Sequence, residues 1–183
     1  MRAALRWLLA SQNLLASAPS IRLLELHAGA GVLGLSLLGV LPAGARLLST
    51  DVNPRCAEAF RANAQCLGLE SRAAFEAADE LAAAGLAEKG RFRIVIVDPP
   101  RRGLGKEVIA RLAATGSVEA LLYLSCNPTS FQSDAEQLLG FGFRLQDLRS
   151  YDSFPGTEHL EVMGVFQRTD ATGHWRRPGM QRD

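Results

Sequence analysis

Three short apolar runs, at residues 21–24, 93–97 and 118–124, each break off into a loop of chemically capable side chains. The runs are long enough for strands and too short for helices. The loops that follow are Glu25-Leu26-His27-Ala28-Gly29-Ala30-Gly31, Asp98-Pro99-Pro100-Arg101 and Ser125-Cys126-Asn127-Pro128. Open α/β sheets gather their chemistry in this way, at the carboxyl ends of buried strands. The rest of the chain agrees. Strand patterns fall at 21–26, 45–50, 72–76, 92–97, 118–125, 143–150 and 159–167, and helix patterns at 3–16, 32–40, 53–67, 79–88, 104–115 and 129–140. Gly, Pro or Asp separates most of them. Alternating strands and helices predict a doubly wound, mostly parallel α/β sheet of seven strands with helices on both faces. Residues 152–158 join the last two strands without a helix, so these two are expected as an antiparallel hairpin at the sheet edge.

A chain of 183 residues with 48% hydrophobic content suits one compact domain, placed at 1–167, followed by an aperiodic tail at 168–183. Lys plus Arg number 20 and Asp plus Glu 19, so no global field draws in nucleic acid. Any basic surface must be local, and Arg101 and Arg102 are its candidates. No apolar run reaches about 18 residues, so no membrane span is expected. The opening stretch resembles a signal peptide only superficially, because Arg6, Gln12 and Asn13 interrupt it. Its leucines are spaced as one face of a helix. Cysteines 56, 66 and 126 form no C-x-x-C pair, which speaks against a disulfide framework and a zinc site. Reduced thiols and no targeting segment indicate a cytoplasmic protein, expected as a monomer.

The turn after the first strand reads G-A-G-x-x-G, with Gly29, Gly31 and Gly34. Alone it would be a weak dinucleotide signal. Here the first strand ends in the acid Glu25 and the second in Asp51, whose carboxylate can accept both hydroxyls of a ribose. Asp79 follows the third strand, either as an acceptor for an adenine amino group or as a helix N-cap, roles that are compatible. Acids without a phosphate-binding cation in the turn favour a ligand with a ribose and no pyrophosphate. S-adenosylmethionine fits that description.

Together these segments resemble the RNA uracil-5-methyltransferase family, which makes 5-methyluridine in ribosomal and transfer RNA. The resemblance runs from about residue 20 to 168. It rests on the Gly-rich turn, on Asp98-Pro99-Pro100-Arg101-Arg102-Gly103, on Ser125-Cys126-Asn127-Pro128 and on Asp152-x-Phe154-Pro155-x-Thr157-x-His159-x-Glu161. It implies a Rossmann-like, S-adenosylmethionine-dependent fold, an RNA substrate, Cys126 as nucleophile and Glu161 as base, with Asp51 and Asp98 against the cofactor. His27 and Val32 stand in the cofactor turn where the family usually has other residue types. The family also carries an amino-terminal RNA-binding barrel and a central insert, whereas Met1 here lies just before the catalytic pattern. An excised domain and a natural short form are both compatible with that, and weak RNA binding by the chain is expected in either case.

The residue types suit the chemistry. Carbon 5 of uracil is a poor nucleophile until a thiolate adds to carbon 6 and turns the ring into an enolate. A free thiol, with a pKa of about 8.5, is only slightly ionised at neutral pH and gains from nearby positive charge. Arg101 is a candidate either for that charge or for an RNA phosphate. The carbon 5 proton then needs a general base, the role for Glu161. Asn127 either bonds the uracil edge or orients its loop, and Phe154 either stacks on the base or packs in the core. The base must leave its stack to reach the thiol. Two other readings fit the motifs: a non-catalytic cofactor-binding remnant, and a methyltransferase acting on cytosine carbon 5 or a small molecule.

Overall fold

A computed structural model of the chain describes residues 21–153, 155–157 and 160–169. The expected helix at 3–16, the tail from 170, and Phe154 and His159 lie outside the described residues. The elements are β1 (Arg22–Leu26), α1 (Val32–Leu38), β2 (Arg46–Asp51), α2 (Cys56–Cys66), β3 (Ala73–Ala77) and α3 (Glu80–Gly90). They continue with β4 (Ile94–Val97), α4 (Lys106–Ala114), β5 (Ala120–Ser125), α5 (Pro128–Gly140), β6 (Phe143–Tyr151) and β7 (Glu161–Arg168). The sheet has seven strands in the order β3-β2-β1-β4-β5-β7-β6. The first five run parallel, and β7 is antiparallel to both its neighbours.

The apolar runs are buried on both faces, as central parallel strands must be. Leu24, Leu26, Val95, Val97, Leu121 and Tyr123 pack against α3, α4 and α5. Leu23, Leu47, Ile94, Ile96, Ala120 and Leu122 face the other way, in the layer shared with α1 and α2. The same alternation continues in β7, with Val162 and Phe166 on the first side and Met163 and Val165 on the second. A strand apolar on both faces belongs inside a sheet, and β7 accordingly lies between β5 and β6. The hairpin is antiparallel as expected. However, only β6 forms the edge, so Glu161 does not lie on an edge strand. The strand runs on to Arg168, past the expected end at 167. There the guanidinium donates to the carbonyls of Val118 and Ala113, both at 2.8 Å.

One buried polar link ties β5, α5 and the β4–α4 loop together. Tyr123 on β5 donates its hydroxyl to Asp134 Oδ2 on α5 at 2.5 Å, and the Leu104 amide of the β4–α4 loop donates to the same oxygen at 2.7 Å. Burial, reinforced by this carboxylate, raises the Tyr123 phenol well above its ordinary range. Tyr123→Phe should leave a buried carboxylate short of one donor, a loss of about 1–3 kcal/mol in urea unfolding. An unchanged midpoint would show that Asp134 finds another partner.

Candidate active site

Every candidate side chain that the structure describes sits at the carboxyl edge of the parallel strands, where two cavities open. The smaller, about 210 Å³, is lined by His27, Asp51, Asp79, Glu80, Pro100 and Arg102 among others. The larger, about 580 Å³, is lined by Asp98, Cys126, Tyr151, Ser153 and Glu161 over a floor of Leu33, Ile96, Leu122, Leu124 and Met163.

The Gly-rich turn is held from below and from the side. Glu25, only 2% exposed, accepts from the Gly34 amide at 2.8 Å and from Ser49 Oγ at 2.6 Å. Burial pushes its carboxyl up to about 7, against the opposing pull of those two bonds, with the Asp98 charge adding to the rise. Glu25 is therefore an internal prop and faces no ligand, which corrects its place in the run of acids inferred from the sequence. A Cβ on Gly34 would lie 2.3 Å from Glu25 Oε2, so glycine is what lets the prop reach the backbone. Asp51 spans the mouth of the turn. Its Oδ2 accepts from the Gly29 amide and its Oδ1 from the Asn53 amide, each at 2.9 Å. Half-buried at the strand tip, it combines a turn-holding role with a position on the smaller cavity.

His27 takes a left-handed backbone conformation, φ 57°, which costs a non-glycine residue about 1–3 kcal/mol. Its Nε2 lies 3.0 Å from Glu80 Oε2, while its buried Nδ1 has no hydrogen-bond partner in the protein. Asp79 caps α3 through the Ala82 amide at 2.7 Å, as expected of an N-cap, and it also lines the smaller cavity. Val32 opens α1 with its side chain 63% exposed and lines neither cavity.

The larger cavity holds the reactive set. The β5–β7 ladder ends at the pair Ser125–Val162, and the residues just beyond that pair, Cys126 on one side and Glu161 on the other, both line this cavity. Tyr151 of β6 pairs with Glu161 on the other side. Asp98 completes the wall. Its carboxyl is raised to about 6, first by desolvation and next by the Glu161 charge, with His27 opposing. Asp98 thus stands with Cys126 and Glu161 rather than on the smaller cavity. Asn127 spends its side-chain amide within the protein: Nδ2 donates to the Arg101 carbonyl at 2.8 Å, and Oδ1 caps α5 through the Thr129 amide at 3.1 Å. Of its two expected roles, the structure presents loop orientation. Arg101 is exposed.

This assembly has close counterparts. Residues 85–169 match the family model described as tRNA (uracil-5-)-methyltransferase. The chain is 34% identical over 173 residues to the 23S rRNA (uracil(1939)-C(5))-methyltransferase RlmD of Chromohalobacter salexigens, covering 94% of this chain and 33% of that one. It is 33% identical over 147 residues to the tRNA (uracil(54)-C(5))-methyltransferase of Pyrococcus furiosus, covering 80% and 33%. The chain belongs to the RNA uracil-5-methyltransferase family. Among solved structures, TrmN from Thermus thermophilus superposes with a TM-score of 0.60 at 19% identity over 87% of this chain and 47% of that one, a likeness of fold. The chain spans about a third of the length of these two curated relatives.

Family membership gives the cavities their meaning as neighbours on one sheet edge. Among the lining residues that escaped the sequence are Glu80 on the smaller cavity and Tyr151 on the larger. Glu80 directly follows an N-cap, where an acid in the first turn is ordinary. Arg102 was read as a candidate for local basic surface and as part of the loop motif, and it lines the smaller cavity. Tyr151 ends a strand whose other side chains are mostly exposed. Among the described residues no group of three His, Cys, Asp or Glu could hold a metal ion. No helix among them is long and apolar enough to cross a membrane.

Proposed function

We propose that this chain methylates carbon 5 of uridine in RNA by covalent catalysis, with S-adenosylmethionine in the smaller cavity and the target base in the larger. The observation that carries this reading is that Cys126 and Glu161, which flank the last pair of the β5–β7 ladder, line one cavity. Addition to carbon 6 and later proton removal from carbon 5 need both groups within reach of one ring.

The smaller cavity suits the cofactor chemically. Asp51 and Asp79 offer acceptors to hydroxyl and amino groups, and the lining cation Arg102 is held by Glu80 at 2.7 Å. Such a set recognises a nucleoside better than a pyrophosphate. The bound cofactor would supply an electrophilic methyl group, its sulfonium leaving as the neutral thioether of S-adenosylhomocysteine. The Cys126 thiolate adds to carbon 6, and the pair from the carbon 5–carbon 6 double bond passes into the enolate. Carbon 5 takes the methyl group, the Glu161 carboxylate accepts the carbon 5 proton, and the freed pair restores the double bond as the thiolate leaves. Tyr151, beside Glu161 and half exposed, is the aromatic face that the described residues offer to a flipped base.

The test is a denaturing gel of the full chain with a short RNA hairpin bearing 5-fluorouridine and the cofactor. Fluorine replaces the departing proton, so a covalent methylated complex should persist. Its absence at saturating RNA would remove the covalent route. Asp51→Ala should weaken S-adenosylhomocysteine binding by about 1–3 kcal/mol in calorimetry, the loss of a charged acceptor. Equal affinity would take Asp51 out of the site. With a net charge of +1, RNA binding should be weak and shallow in salt. Three or so phosphate contacts would give a log–log slope of about −2. A slope beyond about −5 would mean an extended basic surface instead.

A further inference from the structure

Glu80 divides its carboxylate between two loops. Oε2 meets His27 Nε2 in the β1–α1 turn at 3.0 Å, and Oε1 accepts from an Arg102 guanidinium nitrogen at 2.7 Å. Arg102 belongs to the loop that begins at Asp98. One side chain on the first turn of α3 thus joins two loops that converge only at the sheet edge. The α3 terminus does not need it, since Asp79 already supplies the cap. Nor does it add much stability. The Arg102 side chain is 63% exposed, and pairs of that kind contribute about 0–1 kcal/mol. What the bridge supplies is geometry. All three residues line the smaller cavity, and the loop gripped by Arg102 carries Asp98 into the larger one. On its far side the loop is fixed independently, by Asn127 on the Arg101 carbonyl and by Asp134 on the Leu104 amide. The Glu80 bridge is therefore the anchor through which the cofactor side can act on that loop.

We propose that Glu80 is a positioning residue that couples the two cavities, so that a ligand settled against His27 and Arg102 stiffens the loop presenting Asp98 to the substrate. This role rests on the cofactor reading given above. Coupling of this kind is reciprocal: whatever the ligand does to the loop, loosening the loop undoes for the ligand.

The experiment measures S-adenosylhomocysteine affinity by calorimetry and amide hydrogen exchange across residues 98–105, with and without that ligand, on the full chain. In the unaltered protein the ligand should slow exchange in this loop. Glu80→Ala should weaken affinity about tenfold and abolish the ligand-dependent slowing. Glu80→Gln, which keeps an acceptor for Arg102 and a hydrogen-bonding group for His27, should restore most of both. Arg102→Ala should also lose the slowing, and the double variant should show the same loop exchange as either single one, because both changes break one connection to the loop. Should Glu80→Ala fail to fold, Glu80→Gln and Arg102→Ala answer the same question. Two outcomes overturn the proposal alone: unchanged affinity in Glu80→Ala, or weakened affinity with the ligand-dependent slowing intact, which would make Glu80 a direct contact. An unaltered protein that binds no S-adenosylhomocysteine overturns the cofactor reading and this coupling together.

Discussion

Cys126→Ala should reduce methyl transfer by about 10⁴-fold or more and eliminate the covalent complex with 5-fluorouridine RNA, because nothing remains to add to carbon 6. The other two cysteines cannot substitute, since Cys56 and Cys66 lie at the two ends of α2 and line neither cavity. Glu161→Gln should fail differently. Addition and methyl transfer still proceed, but the proton on carbon 5 has no base, a loss of about 10²–10⁴-fold in turnover. The methylated adduct should therefore accumulate on ordinary uridine, where the unaltered protein shows little. A denaturing gel with labelled RNA distinguishes the two variants directly, using RNA at high concentration to offset weak binding. Full activity in Cys126→Ala would end the covalent mechanism. Normal turnover without adduct in Glu161→Gln would pass the proton to another group, and Asp98, on the same cavity wall, would be the next to test.

Stability against pH should bear the mark of Glu25. Its carboxyl titrates near 7 in the folded chain and near the ordinary 4.5 once unfolded, burial being the main cause. Between those values the folded state holds a proton that the unfolded state has released, so stability must fall as pH rises. The rise of about 2.5 units corresponds to roughly 3 kcal/mol, fully present below pH 4.5 and lost as pH passes 7. Asp98 adds a smaller contribution in the same direction, reduced by its exposure to solvent. Glu25→Gln keeps an acceptor for the Gly34 amide and can donate to Ser49 Oγ, with no charge to bury. Urea unfolding from pH 4 to 8.5 should show a flatter profile for the variant and greater stability than the parent at pH 8. Parallel profiles would mean that Glu25 ionises without penalty and that solvent reaches it.

Much of this protein could be read along the chain. Element boundaries fall within a few residues of their expected places, as α3 at 80–90 against 79–88 and β6 at 143–151 against 143–150. Such boundaries follow from local causes: apolar periodicity, the Asp79 and Asn127 caps, and the Pro at the start of α5. Cys126, Asp98 and Asp51 were legible for the same reason, as reactive residues closing apolar runs. Contacts between distant segments were not. The apolar residues on both faces of 161–168 call for a buried strand without saying beside which neighbour it lies. Only the insertion of β7 between β5 and β6 brings Glu161 into the cavity that Cys126 lines, and a slip of one residue would have turned it to the other face. Glu25 and Glu80 are alike as letters beside a motif. The fold encloses the first under Gly34 and Ser49, and opens the second to His27 and Arg102, because a carboxylate's role depends on how much water and which partners the tertiary structure leaves it.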